Sequence, residues 1–235
     1  MKKILGFIPA RGGSKGIPKK NLFPIGGKQL IAYSIEESLK SKINRVIVST
    51  NSEEIADISK SLGAEIPFLR PEKFSGDKST IEDAIEYTLN RLEKEEGYIP
   101  DLIILLHPTT PLRRAIHIDE CIDLLIKENA DSIISVSEPM EHPADMVYWE
   151  KGEMKFLLPG VIPGKTQRQD FPECFFINGC VYVFTYASFM ERKSRYGKKN
   201  LPYHMSQLDS IDIDSMNDMI IAEALMLRRN ADNKS

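Results

Sequence analysis

Five short apolar runs mark the first 140 residues, and helical patterns separate them. The runs are Ile4–Pro9, Arg45–Ser49 and residues 65–69, 101–106 and 132–136. Ile31, Ile35 and Leu39 recur at i, i+4 and i+8, which is one helix face. Asn51 with Glu54, and Ser79 with Glu82, have capping-box spacing and predict helix starts. The second of these helices, 79–96, should stop at Gly97. A further helix is expected over 115–129, with Ile118, Ile122 and Leu125 on its inner face. Strand–helix–strand alternation predicts an α/β fold: a mainly parallel sheet between two helical layers. In such sheets ligands sit beyond the carboxyl ends of the strands.

The first run ends in just such a place, in Arg11-Gly12-Gly13-Ser14-Lys15-Gly16, followed by Lys19, Lys20 and Asn21. The first thirty residues hold seven Lys or Arg and no Asp or Glu, although the whole chain has a net charge of −3. Glycines let backbone N–H groups close on an anion, and the cations then neutralise it. A Walker A loop is excluded, because no Gly-Lys-Ser/Thr follows at the required spacing, and G-x-G-x-x-G is absent as well. The net charge argues against general nucleic-acid binding, and the basic residues gathered at the N-terminus point instead to a small anionic ligand. Pro108-Thr109-Thr110-Pro111 follows another run and should reach the same sheet edge.

At 235 residues the chain can bury one sizeable core. Cys121, Cys174 and Cys180 have no metal or redox spacing, and an odd, sparse set predicts free thiols in a reducing cytoplasm. Met1-Lys2-Lys3 and the apolar residues after it mimic the start of a signal peptide, but Arg11 interrupts them too early. No stretch is long and apolar enough to cross a membrane.

The pattern changes after Glu138. Residues 139–175 carry several prolines, the only Trp (Trp149) and a Lys151-Gly152 turn signal. They predict an antiparallel arm inserted into a main domain of 1–138 and 176–235. The arm's Met146, Val147, Tyr148, Trp149, Phe156, Leu157 and Leu158 need a cover, and a second subunit would supply one. Further on, Asp209-Ser210-Ile211-Asp212-Ile213-Asp214 alternates carboxylates with other residues. Read as a strand, it turns Asp212 and Asp214 to one side, where they could share a hard cation. The alternative reading is a polar edge, with Asp214 as N-cap of the helix that follows.

Together these motifs resemble the acylneuraminate cytidylyltransferases, the CMP-sialic acid synthetases and their nonulosonate relatives. The matching residues are Ile8-Pro9-Ala10-Arg11-Gly12-Gly13-Ser14-Lys15-Gly16 with Pro18-Lys19-Lys20-Asn21, then Val48-Ser49-Thr50 and Leu69-Arg70-Pro71. They continue through Pro108-Thr109-Thr110-Pro111-Leu112-Arg113, Arg168-Gln169-Asp170 with Pro172, Asn178-Gly179 and Ser210-Ile211-Asp212-Ile213-Asp214. The resemblance implies a Rossmann-like nucleotidyltransferase fold and transfer of CMP from CTP to the anomeric hydroxyl of a 2-keto sugar acid, with pyrophosphate leaving. It implies a homodimer with shared sites and Mg²⁺ on Asp212 and Asp214. It puts Arg11, Gly13, Ser14, Lys15, Lys20 and Asn21 on the CTP phosphates and ribose, and Arg70 and Ser79 near the cytosine. The catalytic set is then Arg11, Lys20, Asp212 and Asp214.

The resemblance also assigns His107 and Asn178 to the acceptor. Arg168 would reach the acceptor carboxylate from the neighbouring subunit, with Gln169 beside it as a secondary contact. Two departures concern the acceptor alone: His107 stands where many relatives carry Gln, and Ala144-Asp145 follows Glu141-His142-Pro143 where a basic residue is common. N-acetylneuraminate, legionaminate, pseudaminate and the eight-carbon acid Kdo therefore stay open as acceptors. A metal-dependent glycosyltransferase would not need the glycine–lysine loop, and a non-catalytic nucleotide-binding regulator would not need the intact carboxylates.

Overall fold

The computed structural model describes residues 2–13, 16–76, 78–158, 171 and 173–232. Strand β1 (Ile4–Pro9) is buried on both faces, as a central parallel strand must be. A two-stranded turn, β2 (Pro24–Ile25) and β3 (Lys28–Gln29), leads into helix α1 (Leu30–Leu39). There follow β4 (Arg45–Ser49), α2 (Glu53–Ser61), α3 (Ile81–Glu96), β5 (Leu102–Leu105), α4 (Ala115–Glu128) and β6 (Ser132–Ser137). The chain then makes β7 (Val147–Glu150), β8 (Glu153–Phe156), β9 (Phe176–Thr185), α5 (Tyr186–Arg192), β10 (Asn200–His204) and α6 (Met216–Asp232).

Six strands form one sheet in the order β10-β6-β9-β5-β1-β4. β10, β5 and β4 run parallel to their earlier partners, while β9 lies antiparallel to both β5 and β6. One face is packed by Ile31 and Ile35 of α1, Ile55 of α2 and Ile118, Ile122 and Leu125 of α4. The other is packed by Ala84, Ile85, Leu89 and Leu92 of α3 with Phe189 of α5. A third cluster joins Ile17, Ile25, Leu30, Leu112 and Ile213 to Met219, Ala222 and Met226 of α6. The expected three-layer, mainly parallel fold is the one observed.

Three local expectations are corrected, and one strand had no sequence signal. Residues 65–69 make a single parallel bridge, Ile47 with Glu65, and no strand. Pro67, two residues on, has no N–H to continue the ladder. The helix caps fall one residue later than expected: Ser52 Oγ accepts from Ile55 N at 3.4 Å, and Thr80 and Asp83 form a reciprocal capping box. β10 carries no clear sequence signal, because Pro202 sits in its middle; an edge strand tolerates this. Residues 210–214 lie outside the sheet. The end of α3 at Gly97 (φ +61°) is as expected.

The Lys151-Gly152 turn is also as expected: both residues have positive φ (50° and 85°) and join β7 to β8 in a tight antiparallel hairpin. The hairpin keeps its large side chains outside, with Trp149 74% exposed and Met146, Val147, Tyr148, Met154 and Leu157 uncovered as well. An isolated two-stranded hairpin is marginal in water.

Candidate active site

The loop after β1 is shaped by its neighbours rather than by itself. Gly12 N donates to Asn51 Oδ1 at 2.9 Å, and Asn51 Nδ2 donates to Glu72 Oε2 at 3.0 Å. Asn51 thus holds the glycine loop instead of capping α2. A side chain at Gly12 would press on Ser52, its Cβ 3.1 Å from that residue's Cβ. Lys19 takes a left-handed conformation (φ 51°), and its ammonium pairs with Glu54 at 2.7 Å. Asn21 is buried, and its Nδ2 donates to Arg11 O at 3.0 Å. Gly13 lies in open space at the loop tip. Ser14 and Lys15 fall outside the described residues.

This loop walls a cleft of about 490 Å³ at the carboxyl edge of the sheet. Arg11, Lys20 and Asn21 line one side, Arg70, Ser79 and Thr80 another, and His107, Thr109 and Asp214 a third. Seven residues singled out in the sequence therefore meet in one place. Arg70 is the most constrained of them. Its backbone N donates to Thr50 O at 2.7 Å, and its Nε donates to Ser75 Oγ at 3.0 Å. Burial, and after it the nearby Arg11 guanidinium, push Arg70 down to about 10. Two guanidiniums crowded in a desolvated wall make a field that an anion would relieve. Ser79 Oγ donates to Lys73 O at 2.7 Å and so braces the 73–79 turn. In that turn, Phe74 stacks on Tyr87 with ring centroids 4.6 Å apart.

The carboxylate segment is not a strand, yet its side chains alternate as a strand's would. Ile213 is buried in the third cluster, and its backbone N donates to Thr109 O at 2.8 Å, while Asp212 and Asp214 on either side of it keep exposed surface. Lys20 Nζ donates to Ile213 O at 2.8 Å and to Asp214 Oδ1 at 3.0 Å, joining the basic loop to the acidic segment. Ser215, not Asp214, caps α6: its Oγ accepts from Asp218 N, and Asp218 Oδ2 accepts in return from Ser215 N at 2.7 Å. Asp214 is thereby left to face the cleft. Asp212 is recessed against Gly179, whose φ is +72° and whose Cβ would lie 3.4 Å from Asp212 Oδ2. Partial desolvation raises its pKa; Asp214 adds to this, while a hydrogen bond from Thr109 opposes it.

Two carboxylates with one raised by the other suit a divalent cation that keeps its waters and takes its remaining ligands from phosphate. Among the described residues no group of three or more His, Cys, Asp or Glu side chains is arranged to enclose a metal ion without such help.

Loop and segment also lie close at Gly16, where a Cβ would stand 2.8 Å from Asp214 O. Gly16→Ala should therefore push the two apart by a fraction of an ångström and lower kcat/KM for the nucleotide by about 10–10²-fold. The steady-state assay reads the loss, and an unchanged kcat/KM for Gly16→Ala would contradict the contact argument.

His107 sits edge-on to Tyr182, with ring centroids 5.8 Å apart. Burial, and then the Arg195 and Arg113 guanidiniums, lower it to about 4, so it is neutral at pH 7. Asn178 faces inward. Its Oδ1 accepts from Ser135 Oγ at 2.6 Å and Cys180 N at 3.1 Å, and its Nδ2 donates to Ser210 Oγ at 2.8 Å. It fills the irregularity where β9 shifts register against β6 between Ile134 and Val136, and it ties that bulge to the carboxylate segment. Arg168 and Gln169 lie outside the described residues.

Sequence reasoning missed the part played by Arg113, which is 2% exposed. Its guanidinium donates to Thr110 Oγ1 at 2.6 Å, Cys180 O at 2.9 Å and His107 O at 3.2 Å, holding the 107–113 loop against β9. A charged residue beside a Pro-Leu pair reads as surface, and only the packing reveals the strut.

A mainly parallel three-layer sheet, with a basic glycine loop and a paired carboxylate at its carboxyl edge, defines a Rossmann-like nucleotidyltransferase fold. The chain belongs to the cytidylyltransferase family: the family model described as Cytidylyltransferase matches residues 5–153. It is 30% identical over 226 residues to a CMP-N,N'-diacetyllegionaminic acid synthase of Legionella pneumophila, covering 95% of this chain and 96% of that one. It is 28% identical over 221 residues to an N-acylneuraminate cytidylyltransferase of Streptococcus agalactiae, covering 93% of this chain. In that and similar relatives the chain spans about half of the relative's length, 52% in this case. A solved CMP:2-keto-3-deoxy-manno-octonic acid synthetase complexed with CTP shares the fold, with a TM-score of 0.69, 15% identity and coverage of 97% and 99% of the two chains.

Proposed function

We propose that this chain transfers CMP from CTP to the anomeric hydroxyl of a 2-keto sugar acid, N-acetylneuraminate or a related nonulosonate, with release of pyrophosphate. The observation that carries the reading is the meeting of Arg11, Lys20 and Arg70 on one cleft, with Asp212 and Asp214 at or beside its rim. Phosphoryl-type transfer needs positioning and charge stabilisation more than covalent chemistry. Arg11 and Lys20 would meet the charge that grows on the phosphates as pyrophosphate departs. Asn21 fixes the loop carbonyl at Arg11, and Arg70 with the 73–80 turn borders the space for the base. Asp212 and Asp214 would hold Mg²⁺, which when bound supplies further neutralisation of the phosphate oxygens. Neutral His107 can exchange hydrogen bonds with acceptor hydroxyls, but at about 4 its pKa makes it a poor proton acceptor near pH 7. Cys121, Cys174 and Cys180 are all free thiols, which supports a cytoplasmic enzyme.

The test is CTP and Mg²⁺ with N-acetylneuraminate, legionaminate, pseudaminate and Kdo in separate reactions, with pyrophosphate release followed. The proposal expects release that depends on one of the nine-carbon acids. Turnover with Kdo alone would move the acceptor to the eight-carbon class, and none with any acid would remove the reading.

The uncovered hairpin supports a homodimer. A two-fold partner would bury Trp149 and its neighbours and bring each arm over the other subunit's cleft. Arg168 suits the acceptor carboxylate because its fork grips two oxygens. An Arg168→Ala chain mixed with a Lys20→Ala chain should then recover activity above either parent, since some mixed dimers regain one intact site. No recovery despite demonstrated subunit exchange would place Arg168 within its own site or outside the reaction.

A further inference from the structure

The segment that carries Asp212 and Asp214 has no ladder to fix it, so something else must set where the two carboxylates point. Asp209, at the start of the segment, does not line the cleft, and its side chain is mostly buried. It ion-pairs with Arg229 Nη2 from the last turns of α6. Its other oxygen faces Arg114 Nη2 at 3.8 Å and His117 Nε2 at 3.7 Å, and accepts from Ser206 Oγ at 2.9 Å. Arg229 has a second grip, Nη1 donating to Leu112 O at 3.0 Å. One guanidinium thus holds three elements: α6, the 107–113 loop and the 206–214 segment. It continues the helix face of Met219, Ala222 and Met226, which packs on Ile213 and Leu112. Neither Asp209 nor Arg229 lines the cleft.

We infer that Arg229 and Asp209 are positioning residues for the reaction, a latch that sets the direction of Asp212 and Asp214 from behind. The inference rests on the reading of those two as metal-holding carboxylates. A planar fork is required, because a lysine ammonium could not span Leu112 O and Asp209 with the same geometry. The latch also removes Asp209 from candidacy as the base that deprotonates the acceptor.

The test compares Arg229→Ala, Asp209→Ala, the double variant and Asp212→Asn with the unaltered protein. Mn²⁺ binding is read by water-proton relaxation, kcat and KM for CTP by steady-state assay, and folding by circular dichroism. Each latch variant should weaken Mn²⁺ about 10-fold and lower kcat by about 10–10²-fold, with KM for CTP within about 2-fold. The double variant should be no worse than either single, because the two act as one unit. Arg229→Lys should recover only part of the loss. Should Arg229→Ala fail to fold, Asp209→Asn, which keeps the shape and loses the charge, carries the same expectation. If Asp212→Asn abolishes Mn²⁺ binding while the latch variants bind it normally, the latch is overturned and the metal reading stands. If Asp212→Asn leaves Mn²⁺ binding unchanged, the metal reading itself fails, and the latch with it.

Discussion

Asp212→Asn should cut turnover by about 10²–10³-fold, and Asp214→Asn by a similar factor. A divalent cation at a transferring phosphate contributes several kcal/mol of charge stabilisation, and each 1.4 kcal/mol is about a factor of ten in rate. Nucleotide binding without metal should survive, because Arg70 is anchored away from the carboxylates, on Thr50 O and Ser75 Oγ. The pH dependence has a definite sign. The raised pKa of Asp212 means its carboxylate becomes available only at a higher pH than an ordinary aspartate's. Metal-dependent activity should therefore fade early on the acid side. Asp214→Asn removes a like charge, so the residual activity should extend to lower pH. The same shift means the ionised Asp212 costs the fold some stability above its folded-state pKa, so Asp212→Asn should melt no lower than the parent at neutral pH. Magnesium titrations of kcat, with thermal melts alongside, read all of these. Normal turnover of both variants at limiting Mg²⁺ would make the carboxylates structural.

Lys20→Ala should lose about 10²–10³ in kcat, the usual cost of removing one charge-stabilising donor from a site that excludes water. Its ammonium is largely shielded, and its partners among the described residues are Ile213 O and the exposed Asp214 carboxylate. A phosphate oxygen can compete with both. Arg11→Ala should lose a comparable factor, and both variants should keep the parent's circular dichroism. A Lys20→Ala chain with near-normal kcat and a raised KM would mean that Lys20 binds substrate and transition state equally.

Much of this was visible in the sequence, for reasons that can be named. β1, β4 and β6 are continuous apolar runs, and such runs are what a two-faced parallel sheet requires. Lys151-Gly152 marks its hairpin because both residues must adopt positive φ. The cleft's basic side was legible because glycines and cations without acids have few other uses. The losses came where one side chain serves a distant partner. Asn51 has cap spacing, but its oxygen goes to Gly12, so Ser52 caps α2. Pro202 hides β10, since only its place at the sheet edge excuses it. The 210–214 segment alternates like a strand because Ile213 needs burial, while the hydrogen bonds that hold it come from Thr109 and Lys20 rather than from a ladder. The bracing contacts of Asn178, Arg113 and the Arg229–Asp209 pair could not be read, because they depend on a register shift and on contacts across 30 or more residues, or on the packing of the last helix.

The central claim is that the α-phosphorus of CTP, with its nucleoside, moves to the sugar acid. Labelling decides it: CTP carrying ³²P at the α position, and in a parallel reaction at the γ position, is incubated with Mg²⁺, the protein and the acid that supports pyrophosphate release. The account predicts α-label in the sugar-acid product and γ-label wholly in pyrophosphate. γ-Label in the product, or release of labelled orthophosphate with no labelled sugar acid, would contradict it.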